Sequence, residues 1–460
     1  MVISTNNDVV YGNRMCRGLS CLSRESVATI GKIEDDLSKE NTGSQTTLIL
    51  ERTIDCFRNN SGPGDPAALE PLLHLIVAAG PRKKESIAFL DSFAKKNKND
   101  PAILRALIAL SKKMGTSDGV AALLALRDSP NFKPGILANE AFCREFTQLV
   151  GNLSDKNAWG GQESSDHAWA ILESAFLDRK FRPDYSGIKE LASQFAEMRG
   201  RFSPRILKLM VKELSEAKGN MHAGEVFDNI KYALATIGEQ MAVHLNNRFG
   251  IIYFSRYSKG TLEQAYNDLH STEASNKPVL MIVFNKNDYN GAFYWAGKKL
   301  DDIREHFRIA LYETKFESSG FPSQRSYYSL VKDTWEKYGR IGSTIIAGHG
   351  DPDSILLGDN DDEGHISKSD RLRLAKLGFC FAPQPTVILI SCSTGRGPKA
   401  IGAMFRDIWG ARVFAPKEDA AEAELSYKDG ALYAKFGPAG WRYQMPLLFT
   451  NMANYYPPNQ

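Results

Sequence analysis

Two residues stand where a thiol nucleophile and its base would be needed. His349 follows the apolar run Thr344-Ile345-Ile346-Ala347-Gly348, and Cys392 follows Val387-Ile388-Leu389-Ile390-Ser391. Short β-branched runs of this kind, bounded by Gly or Ser, predict strands buried on both faces, as in a parallel sheet covered by helices. In such sheets ligands bind at the carboxyl ends of the strands. A neutral thiol is a poor nucleophile at neutral pH, so a Cys leaving one strand needs a base such as a His leaving another. Either residue alone reads as packing, since Cys is among the most buried residue types and a single His is commonly structural. The two exits together, framed by small residues, point to chemistry. The stretch Ser343 to Gly397 is the centre of the chain on this reading.

The elements around the pair extend the pattern. An HG dipeptide after a strand, a hairpin through Ile355-Leu356-Leu357-Gly358-Asp359, a helix beginning near Ser367 and a Ser-Cys-Ser-Thr-Gly exit at Ser391–Gly395 resemble the caspase-like cysteine peptidases, in particular the CHAT subgroup. The resemblance covers Lys277 to about Pro416, with Pro278–Phe284 as its first strand. It implies a doubly wound α/β domain with a mainly parallel sheet and a His349–Cys392 dyad that cleaves peptide bonds. The Q-A-C-x-G signature is absent, so strict cleavage after Asp is not implied.

Carbonyl attack creates an oxyanion that needs donors in place. The backbone N–H groups of Gly350 and Cys392 are the candidates, while Gly395 and Gly397 keep the turn after the nucleophile compact. A basic P1 side chain would be met by Asp288, Glu418 or Asp419, which follow strands at the same edge; an acidic one would be met by Lys286 or Arg396. The basic preference is the reading adopted. His365 is the reserve base, but it follows no strand-then-Gly exit.

No cofactor is required by this chemistry. Calcium is an option: Asp359, Asp361, Glu363 and Asp370 sit at positions one, three, five and twelve of a calcium-loop spacing, with Gly364 at six. Glu at five and Asp at twelve depart from that pattern. The competing reading is a hairpin with an acidic tip and a Ser cap on the next helix.

The rest of the chain must position this site. At 460 residues it has room for two or three domains. Its 57 basic and 54 acidic residues nearly cancel to +3, which argues against a dedicated nucleic-acid binder. No apolar run approaches the roughly 20 residues of a membrane helix. The start lacks a secretory pattern. The cysteines at 16, 21, 56, 143, 380 and 392 form no disulfide framework, which suits a reducing, cytoplasmic setting, with delivery into another cell also open.

Residues 1–43 are polar and predict a flexible leader with a short helix near Ile30–Leu37. Residues 44–250 predict an all-α domain. Asp65-Pro66 and Asp100-Pro101 each open a helix and Gly80 and Gly115 follow its end, a 35-residue offset that suggests a degenerate helical repeat. A looser third copy spans Pro134–Gly151, and Gly151–Ser165 reads as a hinge. An irregular bundle is the equal alternative. His167, His222 and His244 sit singly on helices and read as surface or packing residues. One helix is expected over 224–247, an edge strand or connector over 248–257, a connector over 251–277 between the domains, and the peptidase domain over 278–460, with a helix at Leu300–Thr314.

The functional expectation is a cysteine endopeptidase acting on protein substrates, with the helical region binding a substrate or regulatory partner and no membrane span. The alternative is a catalytically idle caspase-like scaffold. An acyltransferase using the same thiol lacks any cofactor fingerprint.

Overall fold

The computed structural model describes residues 24–39, 43–60, 69–216, 223–272, 275–285, 297–314, 327–357, 365–438 and 453–456. The chain forms two compact units, Met1–Gly224 and Glu225–Gln460.

The first unit is helical: α1 (Arg24–Lys39), α2 (Gly43–Asn60), α3 (Glu70–Ala78), α4 (Lys83–Lys96), α5 (Pro101–Lys113), α6 (Ser117–Asp128), α7 (Glu140–Ser154), α8 (Gln162–Leu177), α9 (Tyr185–Met198) and α10 (Pro204–Glu216). Local signals explain several starts. Asp100 caps α5 by accepting from the Ala102 and Ile103 N–H groups, with Pro101 at the first helical position. Thr116, Asn139 and Asp184 cap α6, α7 and α9 in the same way.

Each helix packs on the one after next. The even-numbered series α2–α4–α6–α8–α10 forms one layer and the odd-numbered series α1–α3–α5–α7–α9 another. In this arrangement each helix buries its apolar face against its neighbours in the layer.

Three expectations change here. Part of the supposed leader is the packed helix α1: Ile30, Ile33 and Leu37 lie on one helical face and are buried, outweighing the polar composition around them. The third repeat copy does not open an α-helix at Pro134, which instead begins a 3-10 turn through Ala138, and α7 starts at Glu140. The hinge narrows to 155–161, because α7 runs through Gly151 to Ser154. The first copy's Asp65-Pro66 lies outside the described residues.

The second unit takes in α11 (Ala223–Ile237), whose first turn holds the boundary, then α12 (Glu239–Phe249) and α13 (Lys259–His270). The single helix expected over 224–247 is broken at Gly238, whose φ of 77° is readily available only to glycine.

The strands are β1 (Val279–Asn285), β2 (Arg308–Thr314), β3 (Ile341–Ala347), β4 (His349–Gly350), β5 (Ser354–Leu356), β6 (His365–Ser367), β7 (Phe381–Ile390), β8 (Arg412–Pro416), β9 (Ala420–Lys428), β10 (Ala431–Pro438) and β11 (Ala453–Tyr456). Between them lie α14 (Tyr327–Tyr338), α15 (Arg371–Ala375) and α16 (Ile401–Trp409).

The main sheet has the order β11-β8-β7-β3-β1-β2. Five strands are parallel, and β11 closes the β8 edge antiparallel. Every residue of β1 is buried, as the continuous apolar run predicts for a strand covered on both faces. Beside the sheet stand the small three-stranded sheet β4-β5-β6 and the hairpin β9-β10. The chain is thus an N-terminal helical region followed by an α/β region with a five-strand parallel sheet, in line with the all-α then mainly parallel α/β class read from the sequence.

Two segments differ from expectation. Residues 300–314 are not a helix: two 3-10 turns (Lys298–Asp302, Arg304–His306) lead into β2, where Ile309, Ala310, Leu311 and Tyr312 are all buried. Four consecutive buried residues fit a strand covered on both faces and not the single apolar stripe of a surface helix. Residues 248–257 contain no strand. Their N–H groups at Ile252 and Tyr253 instead donate to the Glu313 carboxylate of β2, at 2.7 and 3.0 Å. The Tyr257 hydroxyl donates to the same carboxylate at 2.8 Å, and the Arg256 guanidinium lies 3.8 Å from it. Burial first, and then the Glu313 charge, push the Tyr257 phenol well above its ordinary value, so it remains a donor.

Candidate active site

The ladder between β3 and β7 aligns Ala347 with Ile390. His349 lies two residues beyond the first and Cys392 two beyond the second, so both leave the carboxyl edge in step on neighbouring strands about 4.8 Å apart. The Gly348 N–H donates to Ile390 O at 3.3 Å, carrying the pairing past the strand ends. His349, Gly350 and Cys392 are half-buried, whereas Ser391, Ser393 and Thr394 around the thiol are buried.

The arm bearing His349 is the β4–β5 hairpin. Asp351 forms its turn: Oδ1 accepts the N–H groups of Asp353 and Ser354 at 2.7 and 2.8 Å, and Oδ2 accepts the Ser354 hydroxyl at 3.1 Å. The Asp351 N–H also donates to Ser354 O at 3.1 Å. Antiparallel pairs alternate between hydrogen-bonded and non-hydrogen-bonded, so the next bonded pair is His349–Leu356. Gly350 opposite Ile355 is then a non-bonded pair, whose N–H is directed away from β5.

Asn285, the fully buried last residue of β1, donates its Nδ2–H to Leu356 O at 3.1 Å. It anchors the residue that pairs with His349. Sequence reading missed it; the available signal was a polar residue ending an otherwise apolar strand. On the peptidase reading proposed below, Asn285→Ala should lower turnover more than it weakens substrate binding. Steady-state kcat compared with KM on the peptide substrate checks this.

The arm bearing Cys392 is a tight turn. The Thr394 hydroxyl donates to Ser391 O at 2.8 Å, and the Arg396 N–H to Ser393 O at 2.9 Å. Ser393 adopts a left-handed φ of 60°, a strained conformation for a residue with a Cβ, directly after the thiol. The turn is tied to the end of β8 and the segment after it: the Gly395 N–H donates to Pro416 O at 2.7 Å and the Ser393 N–H to Glu418 O at 3.1 Å.

A Cβ at Gly395 would stand 2.4 Å from the backbone oxygen of Ala415, which cannot move aside cheaply. Gly395→Ala should therefore displace the turn that carries Cys392. The expected result is an unfolding midpoint several degrees lower together with lost activity, read by thermal melts and cleavage assays.

The two arms touch. A Cβ at Gly350 would meet Ser391 Cβ at 2.9 Å and Thr394 Cγ2 at 3.0 Å, so glycine there lets the His hairpin close onto the Cys turn. The Ile401 N–H at the start of α16 also donates to Pro352 O, at 2.8 Å, joining the segment after the thiol to the hairpin.

Of the specificity candidates, Glu418 and Asp419 are exposed and lie beside the Cys turn, the Asp419 carboxylate 3.5 Å from the Ser393 hydroxyl. Arg396 is exposed, with its Nε–H donating to Lys417 O at 3.1 Å. Asp288 and Lys286 lie outside the described residues. His365 sits across from Leu356 on β6, two strand spacings or about 10 Å of backbone from His349.

The hairpin through 354–367 forms as β5 and β6, but Asp359, Asp361 and Glu363 lie outside the described residues. The fourth calcium candidate, Asp370, accepts the Ser367 N–H and hydroxyl at 2.9 and 3.0 Å in a capping box at the start of the α15 region. Among the described residues no group of three or more His, Cys, Asp and Glu is arranged to hold a metal. Burial pushes the Cys143 and Cys380 thiols up, which disfavours the reactive thiolate at those two positions.

The family model described as Domain of unknown function (DUF8616) matches residues 317–430. That span contains both His349 and Cys392 and is well under half of the chain. No caspase-like family model matches the chain. No curated protein and no solved structure matches the chain. Among the described residues, no helix is long and apolar enough to cross a membrane.

Proposed function

We propose that the α/β unit is a caspase-like, CHAT-type cysteine endopeptidase acting on protein substrates through His349 and Cys392. The observation that carries this reading is the shared register: the two residues sit at equal steps beyond an aligned pair on adjacent parallel strands, both half-buried, in arms that touch.

His349 takes the thiol proton, and the Cys392 sulfur attacks the scissile carbonyl carbon. The C–N bond breaks as His349 returns the proton to the leaving amine, and water then hydrolyses the thioester with His349 as base. The Gly350 and Cys392 N–H groups receive the oxyanion. Glu418 and Asp419 supply negative charge beside the thiol for a basic P1 side chain. The helical unit binds the substrate protein or a regulatory partner, since stacked helix pairs offer an extended recognition surface. The chemistry needs no cofactor, and a reducing compartment such as the cytoplasm keeps the thiol available.

The test is digestion of a mixed-sequence peptide library by the wild type and by Cys392→Ala, read by mass spectrometry with and without calcium. Cuts made by the wild type and lost in the variant are the expected result, and the residue preceding them gives the P1 preference. Cuts that survive in Cys392→Ala would overturn the dyad. No cuts from either protein would favour the idle scaffold.

A further inference from the structure

Away from the candidate active site, His244, read from the sequence as a surface or packing residue, meets a second histidine, His270. His244 on α12 and His270 at the end of α13 place Nδ1 and Nε2 3.2 Å apart, with the rings near parallel at 5.3 Å between centroids. Their helices are rigid platforms: α12 buries Ala242, Leu245 and Phe249, and α13 buries Leu262 and Ala265 in the core around the sheet. Both imidazoles are exposed.

The His270 ring is oriented from behind. Its Nδ1 lies 2.8 Å from Tyr266 O, one helical turn earlier, and the Tyr266 ring packs on it at 4.2 Å. A carbonyl oxygen only accepts, so Nδ1 carries the ring proton and Nε2 presents a lone pair to His244. Fixing the outer nitrogen to a carbonyl is how proteins orient metal-binding histidines.

We infer that His244 and His270 form a two-imidazole site for a divalent transition-metal ion of the nickel, copper and zinc class. With metal–nitrogen bonds of about 2.0–2.1 Å, two ligands subtending 90–110° stand about 2.9–3.4 Å apart, which brackets the observed separation. The ion replaces the proton now shared between the rings. His244 shifts its own ring proton from Nδ1 to Nε2 through solvent, freeing the inner lone pair, and water fills the remaining positions. Imidazole nitrogens select these borderline ions over magnesium and calcium, which prefer oxygen. The site is independent of the peptidase reading.

Titration of the full-length protein with nickel chloride by calorimetry, in a buffer free of competing ligands, tests it. The wild type and an exposed-histidine control on α3, His74→Ala, should each take up one ion at this site, while His244→Ala and His270→Ala each weaken that uptake at least tenfold. Magnesium at the same concentrations should give no competing heat. Because both side chains are exposed, circular dichroism should show all variants folded. Absence of nickel binding by the wild type, or unchanged binding in either His244→Ala or His270→Ala, would overturn the paired site.

Discussion

His349→Ala is expected to lower kcat/KM for the peptide substrate by about 10²–10⁴-fold, the range that a positioned acid–base group supplies. Cys392→Ala should lose more, down to the background rate, because no covalent intermediate can form. The double variant should be no worse than Cys392→Ala. A base that exists only to activate one nucleophile has nothing left to do once that nucleophile is gone, so losses within such a unit do not add. Single-turnover cleavage of one peptide by the three variants measures all three terms. The structure gives the control: both side chains are half-buried and lie beyond the strand ends, so their removal opens no core cavity and the unfolding midpoint should stay near wild type. Multiplicative losses, or His349→Ala with near wild-type rate, would mean that the two residues do not work together.

The second large effect lies in the buried cluster behind β2. Glu313→Ala should destabilise the α/β unit by about 3–5 kcal/mol, the cost of removing one partner from a buried ion pair. Glu313 and Arg256 are both almost wholly buried, and the carboxylate also receives the Ile252 and Tyr253 N–H groups and the Tyr257 hydroxyl. Truncation strands three donors and leaves a guanidinium, stacked 3.8 Å over the Tyr253 ring, without this carboxylate. For a domain of this size the loss corresponds to about 6–20 °C in the unfolding midpoint. Glu313→Gln should recover only part of it, because an amide turns one accepting oxygen into a donor facing other donors. Combining Glu313→Leu with Arg256→Met should cost less than Glu313→Leu alone, since no lone charge then stays buried. Thermal and denaturant unfolding of the full chain, followed by tyrosine and tryptophan signals, would show this order; equal losses in the single and double variants would contradict it.

The same cluster marks where sequence reading ran out. Strands β1, β3, β8 and the Thr386–Ile390 half of β7 were legible because each is a short, mainly apolar run ending at a small or turn residue. Leu300, Ile303, Phe307 and Leu311 fall at helical spacing, yet the chain turns at Ile303 and extends from Arg308 into the open edge beside β1. Sheet pairing outweighed local periodicity there. Nothing in the sequence announces that the acidic residue in that segment is buried, because its partners lie some 60 residues away. Residues 248–257 carried a strand composition, but their backbone donors were claimed by that carboxylate.

Within the site, His349 and Cys392 could be singled out by their strand exits. That β3 and β7 are neighbours, with Ala347 level with Ile390, depends on a strand order that residue types do not encode. Asn285 and the pairing of His244 with His270 escaped notice for the same reason, since each acquires meaning only from a residue distant in sequence.

The β3–β7 ladder also limits how the site can be tuned. Side chains on a strand alternate faces, so sliding β3 against β7 by one residue would turn its core set toward the wrong side. The smallest slide that keeps the core is two residues, or about 6.6 Å. The spacing of His349 and Cys392 is therefore quantised by the sheet, and no gentle shear between strands can set it to an intermediate value. Any graded control must act on the Asp351 turn, the Ser391–Gly397 turn or the Lys417–Asp419 segment that braces it. An activator or inhibitor of this protein would work at those three loops while the strands beneath behave as a fixed frame.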